Sequence, residues 1–191
     1  MKESMNKELN VAIRFTLITT VIFGLLYPLG MTALSRLMFP KQAAGSLIEK
    51  DGRVIGSALI GQGFTADKYF HSRPSSAGTG YDAKASSPSN LAPTNRALID
   101  RVNGDAAKLQ QENPGKPIPV DLITASGSGL DPDISPAAAE YQIPRVAKAR
   151  GISEQQLKAL VTRHTQPRTF GVLGEPRVNV LELNLDLDSP K

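Results

Sequence analysis

A long uncharged apolar run near the N-terminus is the strongest pattern along the chain. Residues 15–34 contain no charged side chain, and ten of these twenty residues are Phe, Leu, Ile or Val. A helix of this length spans roughly 30 Å, which is the thickness of the hydrocarbon core of a bilayer. Arg14 and Arg36 flank the run and can reach the two lipid–water interfaces. We therefore predict a short N-terminal tail (residues 1–14) and one transmembrane anchor (residues 15–39).

Two alternatives for this run are a buried core helix and a cleaved signal peptide. A core helix seldom stays uncharged around its whole circumference over such a length. A signal peptide has a shorter apolar core and a small-residue cleavage site soon after it. Here Arg36 and the bulky residues 37–40 precede the first small pair, Ala43 and Ala44. The pattern favours an uncleaved anchor, and the short tail favours an internal N-terminus with the following domain outside.

Small side chains form a stripe along one face of the predicted anchor. Thr16, Thr20 and Gly24 recur every four residues and therefore share one side of a helix. In lipid, close approach of two backbones along such a stripe favours helix association. The alternative is that Thr and Gly are simply frequent in spanning helices. Pro28 predicts a kink in the outer third of the helix.

Residues 40–191 carry the signals of a separate soluble domain. Apolar and polar residues around Asp51-Gly52 predict a β-hairpin with these two residues at its turn. Capping and stop signals predict three later helices. They are a helix over 93–113 with Leu98, Val102, Ala106 and Leu109 on its inner face; a helix from Ser135-Pro136 to Arg150-Gly151 with a kink at Pro144; and a helix that follows the Ser153–Gln156 capping box, with Leu157, Leu160, Val161 and His164 inside.

The remaining segments are predicted as strands and one long loop. Val120–Thr124 reads as a short strand, and Leu181–Asp188 alternates Leu with polar residues, which is typical of a strand with one buried face. Residues 61–93 are rich in Gly, Ser, Pro and Asn, and a loop of this length is usually functional or held by a partner. The predicted fold class is α+β: one N-terminal transmembrane helix followed by a single soluble domain (40–191) with a small antiparallel sheet and about three helices.

The composition excludes several classes of function. The chain has no Cys, which excludes disulfides, thiolate catalysis and Cys-based zinc sites, and its two His residues exclude a His-rich metal site. Half of the net charge of +4 lies in residues 1–40, and no basic run is interleaved with aromatics, so nucleic acid is not an expected partner. The sequence has no P-loop, dinucleotide fingerprint, nucleophile elbow or Asp-Lys-Thr-Gly phosphorylation motif. These absences exclude a P-loop ATPase and a subunit that is itself phosphorylated in a pump cycle.

Two candidates for ligand contact remain. The loop Ser126–Asp133 places glycines, hydroxyls and the carboxylates of Asp131 and Asp133 before a helix N-terminus. Such a loop could hold a cation through its oxygens or present N–H groups to a phosphate. The alternative is turn chemistry and helix capping, which the same residue types favour. Gln62 could read a ligand through its amide or be a surface turn residue.

A series of short motifs, taken together, resembles one known family over the whole chain. The sequence is similar to the C subunits of Kdp-type potassium-transporting P-type ATPases, with the anchor and the domain in the same order. The motifs are Phe39-Pro40, Gly56–Gln62, Tyr69–Ser75, Ser89–Leu91, Pro93–Asn95, Pro119–Pro132, Ile134–Pro136, Gln142–Ala147 and Gly174–Val180.

The resemblance implies a non-catalytic, single-span accessory subunit of a potassium pump in a prokaryotic cytoplasmic (inner) membrane, with its soluble domain outside near the potassium entrance. Expected partners are a channel-like potassium-translocating subunit, a P-type ATPase subunit that ATP phosphorylates, a small single-span subunit and membrane lipid. The subunit would stabilise assembly and assist nucleotide affinity or the passage of ions to the entrance. No cofactor is expected to bind tightly; ATP acts in the complex and potassium is the transported ion.

The resemblance also implies candidate site residues. Gln62, Ser89 and Asn90 match positions linked to nucleotide contact, and Asp131 and Asp133 are candidates for the ion entrance. Many members read Ser-Gly-Gly-Ser-Asn where this chain reads Ser-Ser-Pro-Ser-Asn, and the proline removes a donor that a phosphate would need. An outer domain would also not meet cytoplasmic ATP. A membrane-tethered hydrolase or binding domain on the outer face is the alternative function.

Overall fold

A computed structural model describes residues 2–189, with the side chains of residues 5–189. The chain divides into two compact units, Met1–Leu47 and Ile48–Lys191. The first unit is helical from α1 (Lys2–Thr19) through a π-helical segment (Thr20–Leu26) to α2 (Tyr27–Met38), and a short α3 (Pro40–Ala43) follows Phe39. The residues before the apolar run are therefore helical as well.

The span Met5–Met38 has the length and composition of a helix that crosses a membrane. Its large apolar side chains are all exposed, from 42% at Ile22 to 82% at Leu37. The core helix of a soluble protein is mostly buried, whereas none of the apolar window of this span is buried. Lipid or another helix is the natural cover for this surface.

The helix widens just before Pro28. Proline has no N–H to donate and its ring crowds the carbonyl of the residue four positions earlier, which here is Gly24. The turn opens into the π-helical segment Thr20–Leu26, where the N–H of Tyr27 donates to the carbonyl of Ile22. The disturbance predicted from Pro28 therefore takes the form of a π-helical segment on its N-terminal side.

The second unit is α+β, as the sequence predicts. Its hairpin joins two strands through Asp51 (φ 52°) and Gly52 (φ 73°), the positive values that a type I′ turn requires. The elements are β1 (Leu47–Lys50), β2 (Arg53–Ser57), α4 (Arg96–Glu112), a 3-10 turn (Val120–Leu122), β3 (Asp133–Ile134), α5 (Pro136–Arg150), α6 (Glu154–His164), β4 (Thr165–Gln166), β5 (Arg177–Asn179) and α7 (Val180–Leu187). The last three strands form an antiparallel sheet in the order β3–β5–β4.

The predicted helix caps are confirmed. The Ser135 hydroxyl accepts a hydrogen bond from the N–H of Ala138 at the start of α5, and Gly151 ends that helix in the left-handed conformation (φ 66°). Ser153 and Gln156 form the reciprocal capping box of α6. The core lies where α5 and α6 pack on each other and on the sheet. Its most buried side chains, none more than 1% exposed, include Phe70, Val146, Leu157, Val178 and Leu183.

Two strand predictions are wrong. In the first segment, Val120–Leu122 forms a 3-10 turn, in which the N–H groups of Leu122 and Ile123 donate to the carbonyls of Pro119 and Val120 at 3.1 and 3.2 Å. Residues 181–188 belong mainly to helix α7, which the Asn179 side chain caps through the N–H of Glu182. The alternation of Leu with polar residues predicted that Asn184 would face the solvent, but Asn184 is buried beside Leu183 in the sequence, as a helix allows and a strand with one buried face does not.

Candidate functional site

The loop Ser126–Asp133 is held closed by its own side chains. The Ser128 hydroxyl accepts from the N–H of Leu130 at 3.0 Å, and the Asp131 carboxylate accepts from the N–H of Asp133 at 3.0 Å. Gly129 (φ 70°) lies so close to the 61–93 loop that a Cβ would stand 2.7 Å from the backbone of Ala77. These contacts are the turn chemistry that was the alternative to a ligand loop.

Both candidate carboxylates of this loop are paired with arginines. Asp131 is 3.0 Å from Arg73, and Asp133 is 3.2 Å from Arg177. Burial raises the pKa of Asp133, and the neighbouring Asp131 raises it further, whereas Arg177 lowers it. Neither carboxylate faces the solvent as a free charge.

These pairs border an open groove of about 590 Å³. Four carboxylates and two arginines line it, and Arg168, just outside the lining, pairs with one of the four, Glu175, at 2.6 Å, so the charged side chains at the groove sum to a surplus of one negative charge. The carboxylate of Asp121 accepts two hydrogen bonds from Ser135, one from its N–H at 2.7 Å and one from its hydroxyl at 3.1 Å. Among the described residues no three His, Asp or Glu side chains are grouped as metal ligands. The negative charge of the groove can attract a hydrated cation, but within the described part of the chain the groove has no cluster of ligands that could replace the water around the ion.

Gln62 serves the fold of its own loop. Its amide nitrogen donates to the carbonyl of Ile55 at 3.0 Å, and it occupies space left by Gly56, where a Cβ would stand 2.0 Å from that nitrogen. Ser89 is half-buried, and Asn90 is exposed with a φ of 52°. The described residues show no hydrogen bond that joins Gln62 to either of them.

The close approach of the loop Ser126–Asp133 to the segment that follows β2 depends on Gly61. Its N–H donates to the carbonyl of Leu130 at 2.8 Å, and a Cβ at this position would stand 2.5 Å from the carbonyl oxygen of Asp131. This contact connects the segment of Gln62 with the segment of the groove carboxylates.

The predicted small-residue stripe on the anchor runs from the end of α1 into the π-helical segment. A Cβ added to Gly24 would be 3.7 Å from the Thr20 methyl group, so these two residues are neighbours on one side of the helix, with Thr16 four residues earlier. The hydroxyls of Thr19 and Thr32 donate to carbonyls of their own helix, at 2.8 and 2.7 Å from the oxygens of Phe15 and Pro28. Such internal bonds let threonine lie in an apolar environment.

Sequence reasoning missed the buried amides that hold residues 67–71. The Asn184 amide binds both the N–H and the carbonyl of Phe70, each at 2.9 Å, and the Gln142 amide binds those of His71 at 2.7 and 3.1 Å. Arg145 adds bonds to the carbonyls of residues 67 and 69. Side chains of α5 and α7 thereby replace the neighbouring strand that this segment lacks. No local pattern in the sequence signals such bonds, because their partners lie 71 and 114 residues apart.

An apolar helix of membrane-spanning length followed by a small α+β domain is the arrangement of a single-span membrane-anchored protein. The chain matches the family model described as "KdpC: K+-transporting ATPase, c chain" over residues 9–189, and it belongs to that family. It is thus a subunit of a potassium-transporting ATPase, a P-type ATPase.

Relatives support this assignment over nearly the full length. A "Potassium-transporting ATPase KdpC subunit" of Rhodopseudomonas palustris (strain BisB18) is 59% identical, covering 98% of this chain and 100% of that protein. A protein with the same description from Koribacter versatilis is 58% identical over 96% of this chain and 95% of its own length. Another from Methylorubrum populi is 59% identical over 88% and 90%.

Proposed function

We propose that this chain is the non-catalytic accessory subunit of a high-affinity, ATP-driven potassium importer and that it stabilises assembly of the channel-like and P-type ATPase subunits. One contrast carries the proposal. The candidate ligand-contact side chains are occupied by contacts within the domain: Asp131 forms an ion pair with Arg73, and Gln62 donates a hydrogen bond to the carbonyl of Ile55. The anchor, in contrast, exposes apolar side chains along its length. This distribution suits contact with other chains better than turnover of a substrate.

Extraction under mild conditions tests the proposal. A tag on the full chain is expected to co-purify the channel-like subunit, the ATPase subunit and the small single-span subunit from a prokaryotic inner membrane. The isolated chain is expected to hydrolyse no ATP and no ester substrate. Isolation of the chain as an active monomer would contradict the proposal and support the tethered hydrolase.

We place the domain on the outer face of the membrane. Because the chain has no native Cys, single cysteines give clean side-specific labelling. Gln155→Cys, on the exposed surface of α6, is expected to react with an impermeant maleimide from outside, whereas Lys7→Cys in the N-terminal segment reacts only after the cells are opened. The reverse pattern would overturn this topology.

This location makes direct contact with cytoplasmic ATP unavailable to Gln62, Ser89 and Asn90. An effect of the subunit on nucleotide affinity would then pass through the assembled complex. Gln62→Ala is expected to leave the isolated chain without measurable binding of a fluorescent ATP analogue, as in the parent chain. Saturable binding that Gln62→Ala abolishes would restore the nucleotide role of these residues.

The negative groove is the candidate for ion attraction near the entrance. Asp131→Asn combined with Asp133→Asn is expected to weaken the apparent potassium affinity of the complex at low ionic strength, with the difference shrinking above about 0.15 M salt as charges are screened. Asp105→Asn is the matched control, because it also breaks a half-buried ion pair, with Arg101 at 2.9 Å, but lies outside the groove. Equal affinities in all three proteins would leave the two aspartates a purely structural role.

A further inference from the structure

A separate cavity lies where the end of α5, the helix α6 and the end of α7 meet. We refer to it as the α6 cavity, because α6 contributes Gln156, Leu157, Leu160 and Arg163 to its lining. Its volume is about 630 Å³, which falls within the range of roughly 300–1,000 Å³ for small-molecule sites. It shares no lining residue with the negative groove, so the function proposed above does not use it.

One part of the lining of the α6 cavity is aliphatic and belongs to the core. Leu157 is 1% exposed and Leu160 is 8% exposed, and Ile152 and Leu187 pack against the same core. Because core packing holds these side chains in place, the apolar surface is formed before a ligand arrives. A hydrocarbon chain is the kind of group that gains free energy by covering it.

Three cationic side chains also line the cavity: Lys68, Arg150 and Arg163. Arg150 is held by the fold, since it donates to two backbone carbonyls at 2.6 and 3.0 Å. Arg163 is 69% exposed and lies 3.6 Å from the carboxylate of Asp186. The ammonium group of Lys68 lies over the ring of Tyr69, 5.0 Å from its centroid, and forms no ion pair with the residues whose side chains the structure describes. Lys68 is therefore available to an anion.

Two carboxylates oppose these cations, and both are occupied by contacts within the domain. The Asp188 carboxylate accepts a hydrogen bond from Arg150 and one from the Tyr69 hydroxyl, each at 2.7 Å. The Asp186 carboxylate lies 2.8 Å from a ring nitrogen of His164. With His164 uncharged, the charged side chains of the lining and their ion-pair partners carry a surplus of one positive charge. One anionic group would balance it.

We propose that the α6 cavity binds a small amphipathic monoanion, namely an aliphatic chain that ends in a carboxylate. The carboxylate binds at Lys68, the cation of the lining without an ion-pair partner, and the chain packs on Leu157 and Leu160. A surplus of one charge favours a singly charged head group over a doubly charged phosphate monoester. A free fatty acid is the simplest molecule of this class, and the proposal does not depend on the accessory role.

Binding of a soluble fatty acid to the full chain tests the proposal. The chain is placed in nanodiscs of phosphatidylcholine, which has no net charge, and octanoate with a terminal trifluoromethyl group is followed by fluorine nuclear magnetic resonance. Empty nanodiscs measure the partition of the probe into lipid. We expect saturable binding at one site per chain. The alcohol with the same chain should bind about tenfold more weakly, because it lacks the charge.

Two pairs of variants locate the site. Lys68→Gln removes the charge and should weaken octanoate binding about tenfold, whereas Lys158→Gln, at an exposed position of α6 outside the lining, should not. Ala149→Trp places a large ring at an exposed position of the lining and should block binding, whereas Ala159→Trp, exposed on α6 outside the lining, should not. The melting temperature of each variant without ligand shows whether the domain is folded.

The contradicting outcomes are distinct. Absence of saturable binding above that of empty nanodiscs would overturn the proposal. Equal affinities for the acid and the alcohol would overturn the anionic class of ligand. Unchanged octanoate binding by Lys68→Gln or by Ala149→Trp, with the variant folded, would overturn the assignment to the α6 cavity. The accessory role would stand in each of these cases, because co-purification tests it separately.

Discussion

The buried amide of Asn184 is the single contact whose removal the structure makes most informative. Asn184 is 1% exposed and Phe70 is 0% exposed, and the amide satisfies both backbone groups of Phe70 at 2.9 Å. The substitution Asn184→Leu keeps the size of the side chain and removes both hydrogen bonds. The N–H and the carbonyl of Phe70 would then be buried without partners, because water does not reach them.

The expected loss of stability is large for a domain of this size. Each buried backbone group left without a hydrogen bond costs about 1–3 kcal/mol. The two groups of Phe70 together cost about 2–6 kcal/mol, which is a substantial part of the roughly 5–15 kcal/mol that stabilises a typical domain. The buried apolar leucine offsets part of this cost, so we expect the free energy of unfolding to fall by about 2–4 kcal/mol.

Urea unfolding of the full chain in detergent, followed by near-ultraviolet circular dichroism, measures that loss. Hydrogen exchange of the segment that contains Phe70 localises it, because the amide of Phe70 should exchange much faster in the variant. Asn103→Leu, the same substitution on the exposed face of α4, is the control and should change stability by less than about 0.5 kcal/mol. Unchanged stability and a still-protected Phe70 amide in Asn184→Leu would refute the reasoning.

Three further predictions follow from local geometry. Gly61→Ala should destabilise the domain by about 1–3 kcal/mol, because the added Cβ would stand 2.5 Å from a backbone oxygen. A Cβ at Gly127 would have nothing within 4 Å, so Gly127→Ala should have the melting temperature of the parent chain. Equal melting temperatures of the two variants would contradict the close approach at Gly61. Gly24→Leu should reduce the yield of co-purified ATPase subunits and Gly30→Leu should not, so equal yields would argue against the small-residue stripe. Burial, and next the charge of Arg145, lower the pKa of His71 from its ordinary value of 6.5. Stability should therefore fall as the pH drops from about 6.5 toward the pKa of the folded state, and His71→Gln should lose that part of the pH dependence. Identical pH profiles of the two proteins from pH 5 to 7.5 would refute this prediction.

Signals that are local in the sequence predicted the fold well. The uncharged run, the Asp51-Gly52 turn, and the caps at Ser135 and Ser153 each depend on residues within a few positions of one another. Because the residues that form each of these features are close together in the sequence, the sequence alone is enough to predict them. The family resemblance was likewise carried by many short motifs in order.

The errors arose where a distant partner decides the structure. Alternation over residues 181–188 predicted a strand, but Asn184 turns inward to bind Phe70, so the buried positions follow the helical spacing. The candidate site shows the same limit. The sequence placed Asp131 and Asp133 in one loop but could not show that Arg73 and Arg177 neutralise them, since such pairs depend on the tertiary fold.

Removal and return of this subunit tests the central claim most directly. The complex is prepared without this chain, and its potassium-stimulated ATP hydrolysis is measured before and after the purified full chain is added back. The accessory role predicts a low yield and little stimulated activity without the chain, recovery when an equimolar amount is added, and no hydrolysis by the chain alone. Full potassium-stimulated activity in a stable complex that lacks the chain would contradict the account.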